Sequence, residues 1–101
     1  MRIDYKNGYF IGEVDPYSGE PEGKGVFYFS NGDRYEGDFV LGYQTGSGIY
    51  YYANGDRYEG GFLYNNRHGF GTLYYSDGTK HESKWVRGNE VGLDHEENES
   101  L

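Results

Sequence analysis

Residues 31–37 read NGDRYEG, and residues 54–60 repeat the same seven letters. Aligning the two copies divides the middle of the chain into two units of 23 residues with no gap between them. The first unit, at 35–57, is YEGDFVLGYQTGSGIYYYANGDR, and the second, at 58–80, is YEGGFLYNNRHGFGTLYYSDGTK. A fixed period of this length indicates a protein built from one repeated supersecondary unit.

Two further stretches extend the array in both directions. The line FIGEVDPYSGEPEGKGVFYFSNGDR at 10–34 matches when two additional residues are allowed, and HESKWVRGNEVG at 81–92 is a partial copy. The predicted organisation is therefore a partial hairpin at 1–9, a repeat array over 10–92 and an acidic tail at 93–101. Because the tail is rich in acids and has no aromatic residue, we expect it to be disordered.

Each repeat is predicted to form two short antiparallel strands. The stretches YEGDF and GSGIYYY place alternate residues on opposite faces, and their Tyr and Phe residues favour strands. Asn-Gly or Asp-Gly pairs at 31–32, 54–55 and 77–78 signal tight turns between strands. The predicted fold is all-β: an elongated, twisted, single-layer antiparallel sheet of stacked hairpins, with about seven strands.

The recurring glycines are predicted to make room for rings. A glycine inside a strand marks the close approach of another group, and here the nearest large groups are the aromatic side chains of adjacent strands. We therefore expect an aromatic ladder in which rings lie over glycine backbones. Its rings are Tyr35, Phe39, Tyr58, Phe62 and Trp85, and its glycines are Gly46, Gly48, Gly69 and Gly71.

Composition limits the classes of partner. The 101 residues allow one domain, and 13 Tyr, 6 Phe and 1 Trp must supply most of its buried area. The net charge of −8, without a cluster of Lys or Arg, argues against nucleic acid and anionic membrane surfaces. The chain has no Cys, and no stretch approaches the ~18 apolar residues of a membrane span. We expect a soluble, cytoplasmic protein.

No residue pattern in the sequence predicts catalysis. The three histidines, His68, His81 and His95, lie in unrelated local settings, and no periodic side chain is a nucleophile next to a base. A row of acids after the ladder positions could bind a metal or a basic peptide, or could pair across strands with the bases that precede them. The acids are Glu36, Glu59 and Glu82, and the bases are Arg34, Arg57 and Lys80. We expect no enzymatic activity, no cofactor and no metal.

The whole pattern resembles the MORN repeat (membrane occupation and recognition nexus). Tyr-x-Gly-x-aromatic, then Gly, then Gly-x-Gly, then Asn-Gly or Asp-Gly recur every 23 residues, and the resemblance covers about residues 10–92. The departures are Gly12 and Val14 in a first repeat that lacks the Tyr and the large aromatic, and Asn65 and Ser83 at positions where Gly is usual. The resemblance implies a row of antiparallel hairpins with no closed globular core.

Two surfaces are predicted to bind a protein partner. The first is a shallow groove rich in tyrosine, although the same rings could simply fill the apolar face of a thin sheet. The second is the edge of the last strand, where a partner strand, a second copy or another MORN-type protein could add. The candidate groove residues are Phe27, Phe29, Tyr50, Tyr52, Leu73 and Tyr75.

The resemblance also implies a role. Stand-alone MORN proteins occur in cytoskeletal assemblies such as ciliary axonemes, which suggests a non-catalytic protein–protein interaction scaffold, as a small subunit or adaptor. The alternatives are a phospholipid-binding module, since some MORN proteins are associated with phospholipids, and a regulatory module acting in trans on an enzyme. MORN arrays are attached to some lipid kinases and methyltransferases, whereas no enzyme domain is recognisable in these residues.

Overall fold

A computed structural model describes residues 1–94. These residues form one open antiparallel sheet of nine strands, and none of them lies in a helix. Each strand pairs only with the strands before and after it in the chain, which confirms the predicted array of hairpins. The strands are β1 (Arg2–Tyr5), β2 (Gly8–Val14), β3 (Pro21–Phe29), β4 (Arg34–Val40), β5 (Tyr43–Tyr51), β6 (Arg57–Leu63), β7 (Asn66–Tyr74), β8 (Lys80–Val86) and β9 (Asn89–Glu90). The number exceeds the predicted seven because an N-terminal strand and the short β9 extend the array.

The sheet has the dimensions of a thin slab. Its principal extents are 41 × 36 × 19 Å. Eight strand spacings at about 4.8 Å predict a length of about 38 Å, close to the longest of these values. Residues 1–94 contain no helix with the length and apolar character needed to cross a membrane.

Two-residue turns close the hairpins inside the repeats at 35–57 and 58–80. The turn Leu41–Gly42 has φ values of 52° and 85°, and Tyr64–Asn65 has 46° and 72°. Positive φ at both positions is the geometry that matches the right-handed twist of the flanking strands. Asn tolerates this conformation, which explains Asn65 at a position where Gly is usual. The Asn65 side chain also contributes, since its Oδ1 accepts the backbone N–H of Gln44 at 2.8 Å.

The repeated NGD phrase joins one hairpin to the next. In the first copy, Oδ1 of Asn31 accepts the N–H of Asp33 at 2.9 Å and holds the turn. The Asp33 carboxylate then reaches the following repeat, where Oδ1 accepts the N–H of Ala53 at 2.7 Å and Oδ2 accepts the hydroxyl of Tyr50 at 2.8 Å. Asp56 does the same for the N–H of Ser76 at 2.8 Å. The repeated phrase therefore holds a turn and also fixes the distance between one hairpin and the next.

The core is a ladder of rings over glycine backbones. A Cβ placed on Gly48 would lie 2.4 Å from Cε1 of Tyr35, and a Cβ on Gly71 would lie 2.2 Å from the hydroxyl of Tyr58. Rings of successive repeats meet edge to face, as with Tyr35 and Phe62, whose centroids are 4.9 Å apart. The buried apolar side chains are Phe10, Tyr35, Phe39, Tyr58, Phe62 and Trp85.

The ladder prediction is wrong at Gly46 and Gly69. No ring lies over either residue, since a Cβ on Gly46 would meet the Asp38 carboxylate and a Cβ on Gly69 would meet nothing within 4 Å. Their φ values are 115° and 84°, in the region that side chains avoid. Gly46 lies opposite the register shift between Gly37 and Phe39, so this glycine supplies a backbone bend and not space for a ring.

Phe10 completes the ladder in the first repeat. Its ring is fully buried, and a Cβ on Gly25 would lie 2.3 Å from it. The same close approach of a ring to a glycine is found at Gly48 in the next repeat. The same ring meets Phe39 edge to face, with centroids 4.9 Å apart. The first repeat therefore has a ladder ring, a phenylalanine at the position where the later repeats have tyrosine.

The predicted divisions of the chain fall as follows. The hairpin β1–β2 crosses the boundary between 1–9 and 10–92, because β2 begins at Gly8. Leu93 and Asp94, the first residues of the predicted tail, form a turn. The remainder of that tail, 95–101, lies outside the described residues.

Candidate functional site: a groove beside a row of rings

A continuous row of partly exposed rings follows one side of the ladder. The row, called the ring row below, crosses β1, β3 and β5 and ends in Tyr52, just after β5. Neighbouring centroids lie 4.6–5.6 Å apart, close enough for each ring to contact the next. In order, the rings are Tyr5, Phe27, Phe29, Tyr50 and Tyr52.

Polar side chains face the ring row across the ladder. Gln44, Asn65 and Arg67, called the polar wall below, lie at or near the starts of β5 and β7. Gln44 is 6% exposed, and its Oε1 has no hydrogen-bond partner among residues 1–94. The guanidinium of Arg67 lies 5.3 Å from the ring centre of Trp85, within the range of a cation–π contact.

The ring row and the polar wall enclose two cavities in one groove. The larger, about 360 Å³, lies between Phe29 and Gln44 and reaches Phe39 at its base. The smaller, about 250 Å³, lies between Tyr52 and Arg67. Tyr50 and Asn65 line both cavities. The groove therefore runs across the strands, with apolar rings on one side and hydrogen-bonding groups on the other.

The predicted groove residues are partly brought together. Phe27, Phe29, Tyr50 and Tyr52 belong to the ring row, and Leu73 packs against the core beside it. Tyr75 follows the end of β7 and is 39% exposed, so it lies outside the row.

Sequence reasoning missed two kinds of groove residue. Tyr5 joins the ring row because the turn at Lys6 and Asn7 closes a complete hairpin between β1 and β2. The polar wall gave no periodic signal in the sequence. Gln44 lies opposite Phe39 and Arg67 lies opposite Phe62, so the two are equivalent positions, but they are different residue types.

The family is established by a comparison with family models. The model of the MORN repeat matches residues 17–34, 35–57 and 58–80, which together cover more than half of the chain. The chain belongs to the MORN repeat family. A comparison with curated proteins found no match. MORN repeats are often involved in binding to proteins or membranes.

The row of acids in the MORN repeats pairs within strands. Glu36 lies 3.0 Å from Arg34, and Glu59 lies 2.7 Å from Arg57, two residues away on the same strand in each case. The predicted pairing with these bases is therefore present, but it runs along the strand and not across strands. Among residues 1–94, no group of three or more His, Asp or Glu side chains is placed to hold a metal ion.

Four tyrosines of the MORN repeats have raised pKa values, Tyr35, Tyr50, Tyr52 and Tyr58, and burial is the largest cause in each. Burial raises the pKa of Tyr58 to about 12. Burial also raises the pKa of Tyr35 and of Tyr50, and at Tyr50 the hydrogen bond to the Asp33 carboxylate raises it further. Each hydroxyl therefore keeps its proton in the folded sheet at a pH where a solvated tyrosine has lost it.

We expect alkaline pH to unfold the sheet as these hydroxyls are forced to ionise. A pKa raised in the folded state contributes stability below the unfolded value of about 10, and the contribution is lost as pH rises from there through the folded pKa. Tyrosinate absorbance should therefore show a late group that titrates together with the loss of the β-sheet circular dichroism signal. A single transition of all 13 tyrosines with an unchanged dichroism spectrum would contradict the burial of these rings.

Proposed function

We propose that the chain is a non-catalytic scaffold that binds an extended segment of another protein in the groove. The observation that carries the proposal is the buried, unpartnered Oε1 of Gln44 beside a continuous ring row. A buried acceptor without a donor costs about 1–3 kcal/mol, and rotation of the Gln44 side chain toward the groove, to accept an N–H from a bound segment, would remove this cost. Tyrosine rings are enriched at interfaces because they combine apolar area with a polar tip.

Strand spacing indicates what such a segment looks like. Consecutive repeats add two strands, so equivalent positions in the two cavities lie about 9.6 Å apart. An extended chain covers this distance in about three residues. A segment with apolar or aromatic side chains about three residues apart, and with backbone N–H groups turned toward the polar wall, would occupy both cavities.

We further propose that the protein is a cytoplasmic subunit of a larger cytoskeletal assembly, such as a ciliary axoneme. The support is analogy with stand-alone MORN proteins. A phospholipid-binding module and a regulator acting in trans on an enzyme are the competing roles. These roles differ in what the groove captures, which makes capture the experiment that separates them.

We expect Gln44→Met to weaken partner binding without lowering stability. Methionine fills a similar volume and removes the unpaired buried acceptor, so the free energy of unfolding should stay equal or rise. Capture of partners from native extract, read by mass spectrometry, should fall for this variant. It should fall further for Tyr50→Ser with Tyr52→Ser, whose fold is checked by circular dichroism.

Two controls decide the outcome. Tyr51→Ser changes a ring on the opposite face, where Arg34 covers it at 3.9 Å, and should leave capture unchanged. Equal capture by Gln44→Met and the wild type would exclude the groove as the binding site. Flotation of the protein with vesicles of phosphatidylcholine and phosphatidylserine, without any captured protein, would instead favour the phospholipid module.

A further inference from the structure

We propose that copies of this chain associate head to tail, with β1 of one copy completing the strand position that β9 of another leaves partly empty. The junction uses the edges of the sheet and not the groove, so it stands independently of the proposed function. Four observations lead to it: the lengths of the terminal strands, the direction of their free backbone groups, the charges at their edges and the position of the ring row.

The two terminal strands, β9 and β1, correspond to the beginning and the end of the long strands in the complete repeats. In the complete repeats, β3, β5 and β7 each have nine residues, whereas β9 has two and β1 has four. Glu90 of β9 pairs with Trp85 as Gln44 pairs with Phe39, so β9 corresponds to the beginning of a nine-residue strand. No other strand among residues 1–94 lies on that side of β8.

β1 corresponds to the end of the same strand type. Its Arg2 pairs with Ile11 as Ile49 pairs with Glu59, each one residue beyond a ladder ring. Placed beside β8 in the register of a complete repeat, β1 of a second copy would therefore follow β9 without overlapping it. The two short strands together supply six residues and would occupy the two ends of one long strand position, with four positions between them.

The free backbone groups of the two edges point toward each other in this arrangement. Met1 accepts the N–H of Gly12, so odd residues of β1 face β2, and Arg2 and Asp4 face outward. Lys84 accepts the N–H of Val91, so by the same alternation Glu82 faces away from β7. The junction would form hydrogen bonds at residues whose backbone groups no strand among residues 1–94 pairs.

The charges at the two edges are complementary. The register that places Arg2 opposite Glu82 also places Asp4 opposite Lys80. Both cross-strand pairs join opposite charges, which stabilise a sheet, whereas a shift by two residues would place Arg2 opposite Lys80. All four side chains are largely exposed, at 58–73% for Arg2 and Asp4 and 59–60% for Lys80 and Glu82. Charge therefore selects this register.

The junction would also continue the groove. Tyr5 of the second copy takes the position that Tyr52 has in its own repeat, so the ring row of one copy would follow that of the next. Because the two contacting edges differ, the association does not close on itself and leads to open chains of copies. The contact is smaller than the roughly 1,200 Å² of a stable complex, so we expect association at about 0.1–1 mM.

Sedimentation equilibrium of the untagged chain over a concentration series tests the proposal. We expect the average mass to rise beyond that of a dimer, without a plateau. Glu82→Lys and Arg2→Glu should each weaken association by about tenfold, because like charges then meet at the junction. Glu59→Lys, the matching acid on the internal strand β6, is the control and should associate as the wild type does, with circular dichroism verifying each fold.

Mixing the two charge variants gives the sharpest outcome. The changed edge of the Glu82→Lys chain is complementary to the changed edge of the Arg2→Glu chain, and the two unchanged edges form the wild-type junction. The mixture should therefore form open chains of alternating variants, with an average mass above that of either variant alone. A wild-type mass that stays monomeric up to about 1 mM would overturn the proposal, as this range covers contacts of millimolar affinity. A dimer that is insensitive to both substitutions would overturn it too, since it would use another surface.

Discussion

Gly48→Val is expected to unfold most of the protein. The added Cβ would lie 2.4 Å from Cε1 of Tyr35, a ring with no exposed surface and therefore no free space to move into. Expelling a buried ring from a core costs about 3–5 kcal/mol, which approaches the whole stability of a small domain. Urea unfolding followed by Trp85 fluorescence and circular dichroism should show a midpoint near zero urea.

Gly69→Ala provides the matched control for Gly48→Ala. A Cβ on Gly69 meets nothing within 4 Å, but the residue has φ of 84°, so only backbone strain of about 1–2 kcal/mol is expected. Gly48→Ala should cost more than this because its cost is steric. The double variant Tyr35→Ala with Gly48→Val should lose less stability than the sum of the losses of the two single variants. The reason is that alanine at position 35 removes the ring with which the valine side chain would clash. Additive losses would contradict the ring-over-glycine contact.

Phe10→Ala is expected to destabilise the sheet by about 3–5 kcal/mol, as much as a substitution in the central repeats. The ring is fully buried between Gly25 and Phe39, so its removal leaves a cavity that the flat backbone of β3 cannot fill. The measurement is the free energy of unfolding from urea titration.

Phe10→Tyr tests whether this position is a true ladder position. The hydroxyls of Tyr35 and Tyr58 donate to carbonyl oxygens three residues ahead, at 2.9 Å and 3.1 Å. A tyrosine at position 10 has the equivalent carbonyl of Glu13 ahead of it, so stability within about 1 kcal/mol of the wild type is expected. A loss as large as that of Phe10→Ala would show that the first repeat packs differently from the others.

The repeated letters predicted the architecture because they carry both periods of the structure. The 23-residue period marks the hairpins, and the alternation within YEGDF places Tyr35 and Phe39 on the buried face. Phe10 was not predicted as a core ring because the repeat pattern has tyrosine at this position, although packing over glycine requires only a flat ring. A pattern written in residue types can therefore miss a side chain that has the required shape but a different chemistry.

The groove was only half predictable. The ring row follows from the alternation that also produces the ladder, whereas the polar wall depends on the bulge that places Gln44 opposite Phe39. A bulge shifts register by residues that no periodic pattern reveals. Gly46 and Gly69 permit this bulge because they adopt positive φ. The sequence does not distinguish these glycines from Gly48, where glycine leaves space for a ring.

The strictly sequential order of the nine strands has a consequence for how the chain reaches this structure. Every pairing joins segments separated only by a short turn or, between β2 and β3, by a modest loop, so no distant parts of the chain must find each other. All-β proteins fold slowly when their contacts span long stretches of sequence, because closing a large loop is entropically unfavourable. This sheet avoids that barrier: any hairpin can form first and serve as a template for its neighbour, in either direction.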